Sequence, residues 1–205
     1  MQTPEAQVQA AERRNEVFSD RRELTRKRLL RAALELVGHD HGLNVRIEEV
    51  CARARISRGT FYNYFSSMEE LFEALWFELN HQFDADMQAA LADVASEAER
   101  TSAVIQCYLE RARGDPRWGW AMVNIAATGF LFGGLMFTEA LKTVERGVAA
   151  GEFDLPDARL GRDMIVGACL TGMVTQLREG APDTHPAAVA RLVLRAFGVA
   201  DTGPR

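Results

Sequence analysis

The chain has 205 residues, 47% of them hydrophobic and 26% charged, which is long enough and apolar enough to bury one or two cores and excludes wholesale disorder. Six prolines and 16 glycines exclude a collagen-like or linker-dominated chain, and three cysteines without a C-x-x-C pair exclude a disulfide framework or structural zinc site and fit a reducing cytoplasm. The net charge of -5 hides an asymmetry, because residues 21–65 carry ten Arg or Lys against five Asp or Glu, the pattern of a small nucleic-acid-binding unit carried by an acidic body.

In chain order, the first 14 residues lack the apolar run of an export signal, and residues 1–20 read as a flexible tail, extended or partly helical. Leu29, Leu30, Ala33, Leu34 and Val37 recur at helical spacing and predict a first helix over residues 22–37, basic in its first half. Ile47, Val50, Cys51 and Ala54 mark one face of a short second helix, and Ser57 caps a very short third one beginning at Arg58. Ser67 and Glu70 form an S-x-x-E capping box opening a fourth helix expected to reach Val94. Further helices are expected near residues 101–113, 116–128, 130–149, 157–179 and 186–197. Asp115-Pro116 and Thr184-His185-Pro186 act as start signals, and Gly151, Gly180 and Gly198 as stops. No strand pattern competes, so the fold class is all-α. Residues 118–138 are uncharged over a length that spans a bilayer, but Asn124, Thr128, Gly129, Gly133 and Gly134 interrupt them, so no membrane span is expected.

Two short helices joined by a few residues within 46–65 have the form of a helix-turn-helix. On the third helix Phe61 and Phe65 are four apart and share a face that, with Ile56, packs on the first two helices. Gly59 and Asn63 then point outward, Arg58 and Tyr62 lie on one flank and Thr60 and Tyr64 on the other. Asn63 and Arg58 have the amide and guanidinium geometry that reads adenine and guanine edges, whereas the hydroxyls of Ser57, Thr60, Tyr62 and Tyr64 suit phosphates.

The order Ser57-x-Gly59-Thr60-x-Tyr62-x-Tyr64-Phe65, followed by Glu69-Glu70-Leu71, resembles the signature of tetracycline-repressor (TetR) type transcriptional regulators. Three departures stand out. Arg55 replaces the usual glycine of the turn, Met68 replaces the usual lysine at the start of helix four and so removes a phosphate contact, and Arg46 stands where a small hydroxyl residue often caps helix two and offers another. The resemblance implies a homodimeric regulator of duplex DNA with no cofactor. Its DNA-binding domain is expected over residues 21–66 and its ligand-binding and dimerisation domain over residues 67–205, with Arg46, Ser57, Arg58, Gly59, Thr60, Tyr62, Asn63 and Tyr64 at the DNA.

Met164, Gly167, Ala168, Thr171 and Gly172 lie in an uncharged stretch of small groups, and Val189, Leu192, Val193, Ala196 and Phe197 form an apolar stripe. These two helices either close the protomer's own core or, as the resemblance implies, form a four-helix dimer interface. Trp118, Trp120, Met122, Phe130, Phe132, Met136 and Phe137, with Cys107, Tyr108, Asn124 and Thr128, concentrate large apolar groups beside a few polar ones. That composition suits either core packing or a pocket for a small, mostly apolar ligand. His39, His41, His81 and His185 form no ligand-spaced cluster, and no nucleophile elbow or phosphate loop is present, so neither metal nor enzymatic chemistry is expected. The leading expectation is a cytoplasmic repressor released from a palindromic operator by its ligand. The rivals are a helical enzyme or carrier, and a DNA-binding regulator without inducer that answers to a protein partner.

Overall fold

The computed structural model describes residues 4–129 and 135–200, with side chains from residue 21 onward except those of 135 and 136. The described residues form helices and no strand: α1 Pro4–Val37, α2 Ile47–Ala54, α3 Arg58–Tyr62, α4 Met68–Ala90, α5 Glu97–Gly114, α6 Pro116–Ala127, α7 Leu135–Ala149, α8 Ala158–Arg178 and α9 His185–Ala196. The all-α expectation holds. None of these helices is long and apolar enough to cross a membrane, and the uncharged run is cut where α6 ends in a turn at Thr128 and Gly129.

The first helix starts at Pro4, not at residue 22, so most of the expected tail is helical. Proline suits a helix start, and the segment that follows is rich in Ala, Gln, Glu and Arg with no glycine to stop it. Leu29, Ala33 and Val37 of α1 meet Val50, Cys51 and Ala54 of α2, with Phe61 and Phe65 closing the unit; all are buried. Each large apolar side chain buried here contributes about 1.5 to 3 kcal/mol. Arg28, one of the basic residues in the first half of helix one, is exposed but reaches across to α2. Its guanidinium donates to the carbonyl of Ala54 at 2.5 Å, satisfying the C-terminal end of α2.

In the body, α5 packs against α6, α7, α8 and α9, while α4 rests on α1 and α6. The start of α5 falls at Glu97, earlier than expected, because Ser96 caps it through the Glu99 N–H and Glu152 reaches over from beyond α7. The Glu152 carboxylate accepts from the N–H groups of Glu97 and Ala98 and from the Ser96 hydroxyl at 3.1, 2.9 and 2.7 Å. These bonds hold its carboxyl below the ordinary value, the Ala98 N–H being the largest cause. Gly151, Gly180 and Gly198 end their segments at φ of 72°, 73° and 82°, the left-handed geometry that made them legible as stops.

Candidate nucleic-acid interface and body cavity

The turn between α2 and α3 is made by Arg55 at φ 54° and ψ 51°, a left-handed conformation in which a side chain is strained. Sequence reasoning marked this residue as a replacement for glycine, and the backbone shows why glycine suits the position. Arg46 precedes α2 and lacks an acceptor to cap it, but its own N–H donates to Glu49 at 2.8 Å. Ser57 caps α3 by accepting from the Thr60 N–H at 3.0 Å, and its hydroxyl lies 2.9 Å from that of Thr60.

Phe61 is fully buried and Phe65 nearly so, which turns the other side of α3 to solvent. Ser57, Arg58, Gly59, Tyr62 and Asn63 are exposed, and Thr60 and Tyr64 half-buried. Asn63 sits one residue past α3 as its C-cap. A Cβ built on Gly59 would meet nothing nearer than Ser57 Oγ at 3.8 Å, so no internal contact requires glycine there. Arg58 is already engaged: its guanidinium pairs with Glu48 at 2.9 Å, and a hydrogen bond with Tyr62, then Glu48, holds its proton more firmly than usual. Among the first helix's basic residues, Arg22 stands 5.9 Å from the Tyr64 ring centroid and Arg26 at the same distance from that of Phe65.

Two residues beyond Phe65, Ser67 caps α4 by accepting from the Glu70 N–H at 3.3 Å. The reciprocal half of the expected capping box is displaced by one residue. Glu70 accepts from the N–H and hydroxyl of Ser66, at 2.6 and 2.7 Å, and not from Ser67.

Farther along α4 a cavity of about 740 Å³ opens between α4, α5, α7 and α8, walled by apolar groups such as Trp76, Met87, Val104 and Ile165. Of the expected pocket residues, Tyr108 lines it, donating its hydroxyl to Asp84 at 2.9 Å. Burial pushes the Tyr108 phenol well above its ordinary value, and burial likewise raises Asp84 against the opposing effects of Tyr108 and Arg111. The others lie elsewhere. Trp118 is in a core cluster with Phe83 and Tyr108, with the Arg111 guanidinium 4.7 Å from its ring. Trp120 lies under Arg178, Met122 is buried with its sulfur 3.5 Å from Asn80, and Asn124 binds the end of α1. Thr128 is exposed, its hydroxyl donating to the carbonyl of Ile125, and Phe137 lies under the Arg162 guanidinium. Cys107, half-buried, is not among the residues lining the cavity; Phe130, Phe132 and the Met136 side chain lie outside the described residues. The expected pocket residues run from α5 through α6 to the start of α7, whereas the longest wall of the cavity is α4. Asn80, a polar residue in the apolar stripe of Phe72, Trp76 and Met87, was the readable signal.

The dimer candidates divide by face. Met164 and Leu192 are exposed at 39% and 63%, joined by Leu160 at 51%, which the sequence reading missed although it stands four residues before Met164. Thr171 and Ala196 are exposed, Ala168 and Val189 half-buried, and a Cβ at Gly167 would meet nothing within 4 Å. Gly172, Val193 and Phe197 face inward instead. A Cβ at Gly172 would lie 3.0 Å from Leu109 of α5, and Phe197 packs on Phe153 with ring centroids 5.1 Å apart.

A three-helix unit presenting a short third helix, followed by an all-helical body with its own cavity, defines a helix-turn-helix regulator rather than an enzyme. The chain belongs to the tetR family of bacterial regulatory proteins, whose model matches residues 29–75, while residues 96–203 match the tetracycline repressor-like C-terminal domain. It is 32% identical over 82 residues to the HTH-type transcriptional regulator BetI of Agrobacterium fabrum, a match that spans 40% of each protein. The fold is similar to that of RolR in complex with resorcinol, at 25% identity and a TM-score of 0.66 over 88% of this chain and 91% of that one. It is also similar to FadR from Bacillus subtilis in complex with stearoyl-CoA, at 21% identity and a TM-score of 0.62 over 83% and 96%.

Proposed function

We propose that the chain acts in the cytoplasm as a homodimeric repressor, with residues 21–66 reading a palindromic DNA operator and residues 67–205 binding a small, mostly apolar ligand that releases it. The observation that carries this reading is the cavity against α4, since that helix begins within three residues of Phe65 and forms both a cavity wall and the support of the DNA-reading unit. A ligand that binds better when α4 is displaced shifts the population away from the DNA-competent arrangement; coupling of about 1 to 3 kcal/mol weakens operator affinity by roughly 5- to 150-fold. A regulator controlled only through a protein partner would have no use for such a cavity. RolR, with resorcinol bound, supports a small ligand in a body of this shape.

In this reading α3 lies in the major groove. Asn63 and Arg58 read bases, the hydroxyls of Ser57, Thr60, Tyr62 and Tyr64 and the guanidinium of Arg46 hold phosphates, and the open space over Gly59 admits the DNA backbone. The outward stripe of Leu160, Met164, Gly167, Thr171 and Leu192 meets its copy and spaces two recognition helices about one turn of DNA apart, ~34 to 36 Å. Selection of bound duplexes from a random pool tests the reading. A palindrome is expected, and Asn63→Ala should cost about 1 to 3 kcal/mol at one base position. Selected DNA without dyad symmetry, or Asn63→Ala and Tyr62→Ala proteins that bind it like wild type, would refute it.

A further inference from the structure

Charges around the cavity pair among themselves, two guanidiniums sharing the Glu97 carboxylate, and hydrogen-bonding capacity is left unmatched. Glu97, behind the wall, accepts from Arg146 in bidentate fashion at 2.7 and 3.2 Å and stands 3.6 Å from Arg100. Glu139 pairs with Lys142 at 2.7 Å, and Asp84 takes the Tyr108 hydroxyl with Arg111 nearby. Glu73 and His81, which also line the cavity, are exposed to solvent. A cationic ligand would therefore meet no unpaired buried carboxylate, and an anionic one, although two guanidiniums share Glu97, brings no proton for a buried acceptor and would give up its hydration shell for little return.

Three buried polar atoms of residues on this wall make no hydrogen bond: Asn80 Oδ1, Thr101 Oγ1 and Arg100 Nε, the last of which stands 3.6 Å from the Glu97 carboxylate. Asn80 and Thr101 are each only 1% exposed. The Asn80 amide cannot be turned around, because its Nδ2 donates to the carbonyl of Trp76 at 2.8 Å and an oxygen there would face another acceptor. Its Oδ1 is thus a fixed acceptor without a donor, and Arg100 Nε is a donor without a hydrogen bond, 3.6 Å from the Glu97 carboxylate, while Nη2 of the same guanidinium donates to the carbonyl of Val94 at 2.6 Å. Buried polar groups left unpaired cost stability. A group that both donates and accepts without carrying charge answers both needs, and a hydroxyl is the smallest such group.

We infer that the cavity takes an uncharged, mostly apolar molecule bearing hydroxyl groups, with a hydroxyl donating to Asn80 Oδ1 on α4 and hydroxyl oxygens answering Thr101 and Arg100 in the first turns of α5. The inference rests on the cavity being the ligand site and names the chemistry that site selects. It sets the cavity apart from one that receives a carboxylate or an acyl thioester of a nucleotide.

A matched series of one shape tests it: 4-phenyl-1-butanol, its methyl ether, 4-phenylbutyrate and 4-phenylbutylamine, titrated by ligand-detected magnetic resonance and by tryptophan fluorescence. The alcohol is expected to bind the full chain at least ten-fold more tightly than the ether or either ion. Asn80→Leu and Thr101→Val should each erase most of that preference while still melting cooperatively. Thr101→Val is nearly isosteric and carries the test if the leucine protein does not fold. An ether or ion that binds as tightly as the alcohol, or variants that keep the preference, overturns the inference while leaving the ligand site standing. No binding by any of the four up to their solubility limits would remove the ligand site itself, and the inference with it.

Discussion

Asn124 of α6 donates from its amide to the carbonyl of Val37, the last residue of α1, at 2.7 Å, and to that of His39 at 2.8 Å. A side chain from the body thereby caps the helix that carries the DNA-reading unit. Gly42 is held in the same clasp, since a Cβ there would lie 2.7 Å from Asn124 Nδ2. Nearby, Arg178 of α8 pairs with Asp40, Nε to Oδ1 at 2.7 Å. The two parts of the chain are joined at this point as well as through α4.

Asn124→Ala leaves two carbonyls at a buried helix end without their donor. Unfolding free energy should fall by about 2 to 3 kcal/mol, taking roughly 1 kcal/mol per lost bond with an added cost for the group left unpaired. Denaturant titration measures this directly. An unchanged midpoint would mean that water replaces the amide and that the clasp does not hold the units together.

Glu48 competes for Arg58. The pair is exposed, so breaking it costs the protein little, and DNA contact by Arg58 competes with it. Glu48→Ala also removes a negative charge from the proposed groove face. Operator affinity should rise two- to five-fold at low salt and converge on wild type as salt screens the effect. Weaker binding would show that Glu48 positions Arg58 rather than restraining it.

Which parts of this were legible depended on range. The buried face of the N-terminal unit could be read because Phe61 and Phe65 are four apart and Ile56, Val50 and Ala54 fall in step with them, a local period that needs no knowledge of the body. Ser57, Ser67 and Asp115 as caps were local too. The cavity was not legible, because it exists where α4 stands off α5, α7 and α8, and no spacing within one helix encodes the gap between helices. Trp118 and Trp120 have the composition of a pocket lining, but tertiary packing put them in the core. Gly167 and Gly172 look alike in sequence. Only the position of Leu109 on α5 shows that one faces out and the other in.

Arg55 in the left-handed turn predicts a trade between stability and DNA contact. Arg55→Gly relieves strain of about 1 to 2 kcal/mol, partly offset by the greater freedom of glycine in the unfolded chain, so Tm should rise modestly. If the exposed guanidinium meets a phosphate, the same change lowers the slope of log affinity against log salt by about 1. Thermal melts and salt titrations of one sample set separate the two effects. A lower Tm would contradict the strain argument.

Asp84 gives the cavity a pH dependence. Burial raises its carboxyl above the unfolded value, so the folded state binds the proton more tightly than the unfolded chain does. The stability it contributes is therefore fully present below the ordinary Asp value and lost as pH rises through the raised folded value. Asp84→Asn keeps an acceptor for the Tyr108 hydroxyl and removes the titration. The variant should match wild type in acid, exceed it at neutral pH, and flatten the stability profile between. If the two profiles run parallel, Asp84 is not desolvated in solution.

The outer stripe of α8 and α9 is tested by two glycines five residues apart that are expected to fail differently. At Gly167 nothing stands within 4 Å of a built Cβ, and exposed Met164 and Thr171 flank it on the same face, so Gly167→Arg leaves the protomer intact and sets a charged side chain into the proposed contact between copies. Dissociation to folded monomers is expected by light scattering, with loss of operator affinity, since one recognition helix then reads only one half-site. Gly172→Arg forces a side chain against Leu109 inside the protomer and should unfold or aggregate the chain instead, because overpacking a core contact disrupts it whatever the assembly. If Gly167→Arg remains dimeric, the copies meet elsewhere. If Gly172→Arg yields a folded monomer, the inner face has been assigned to the wrong side of α8.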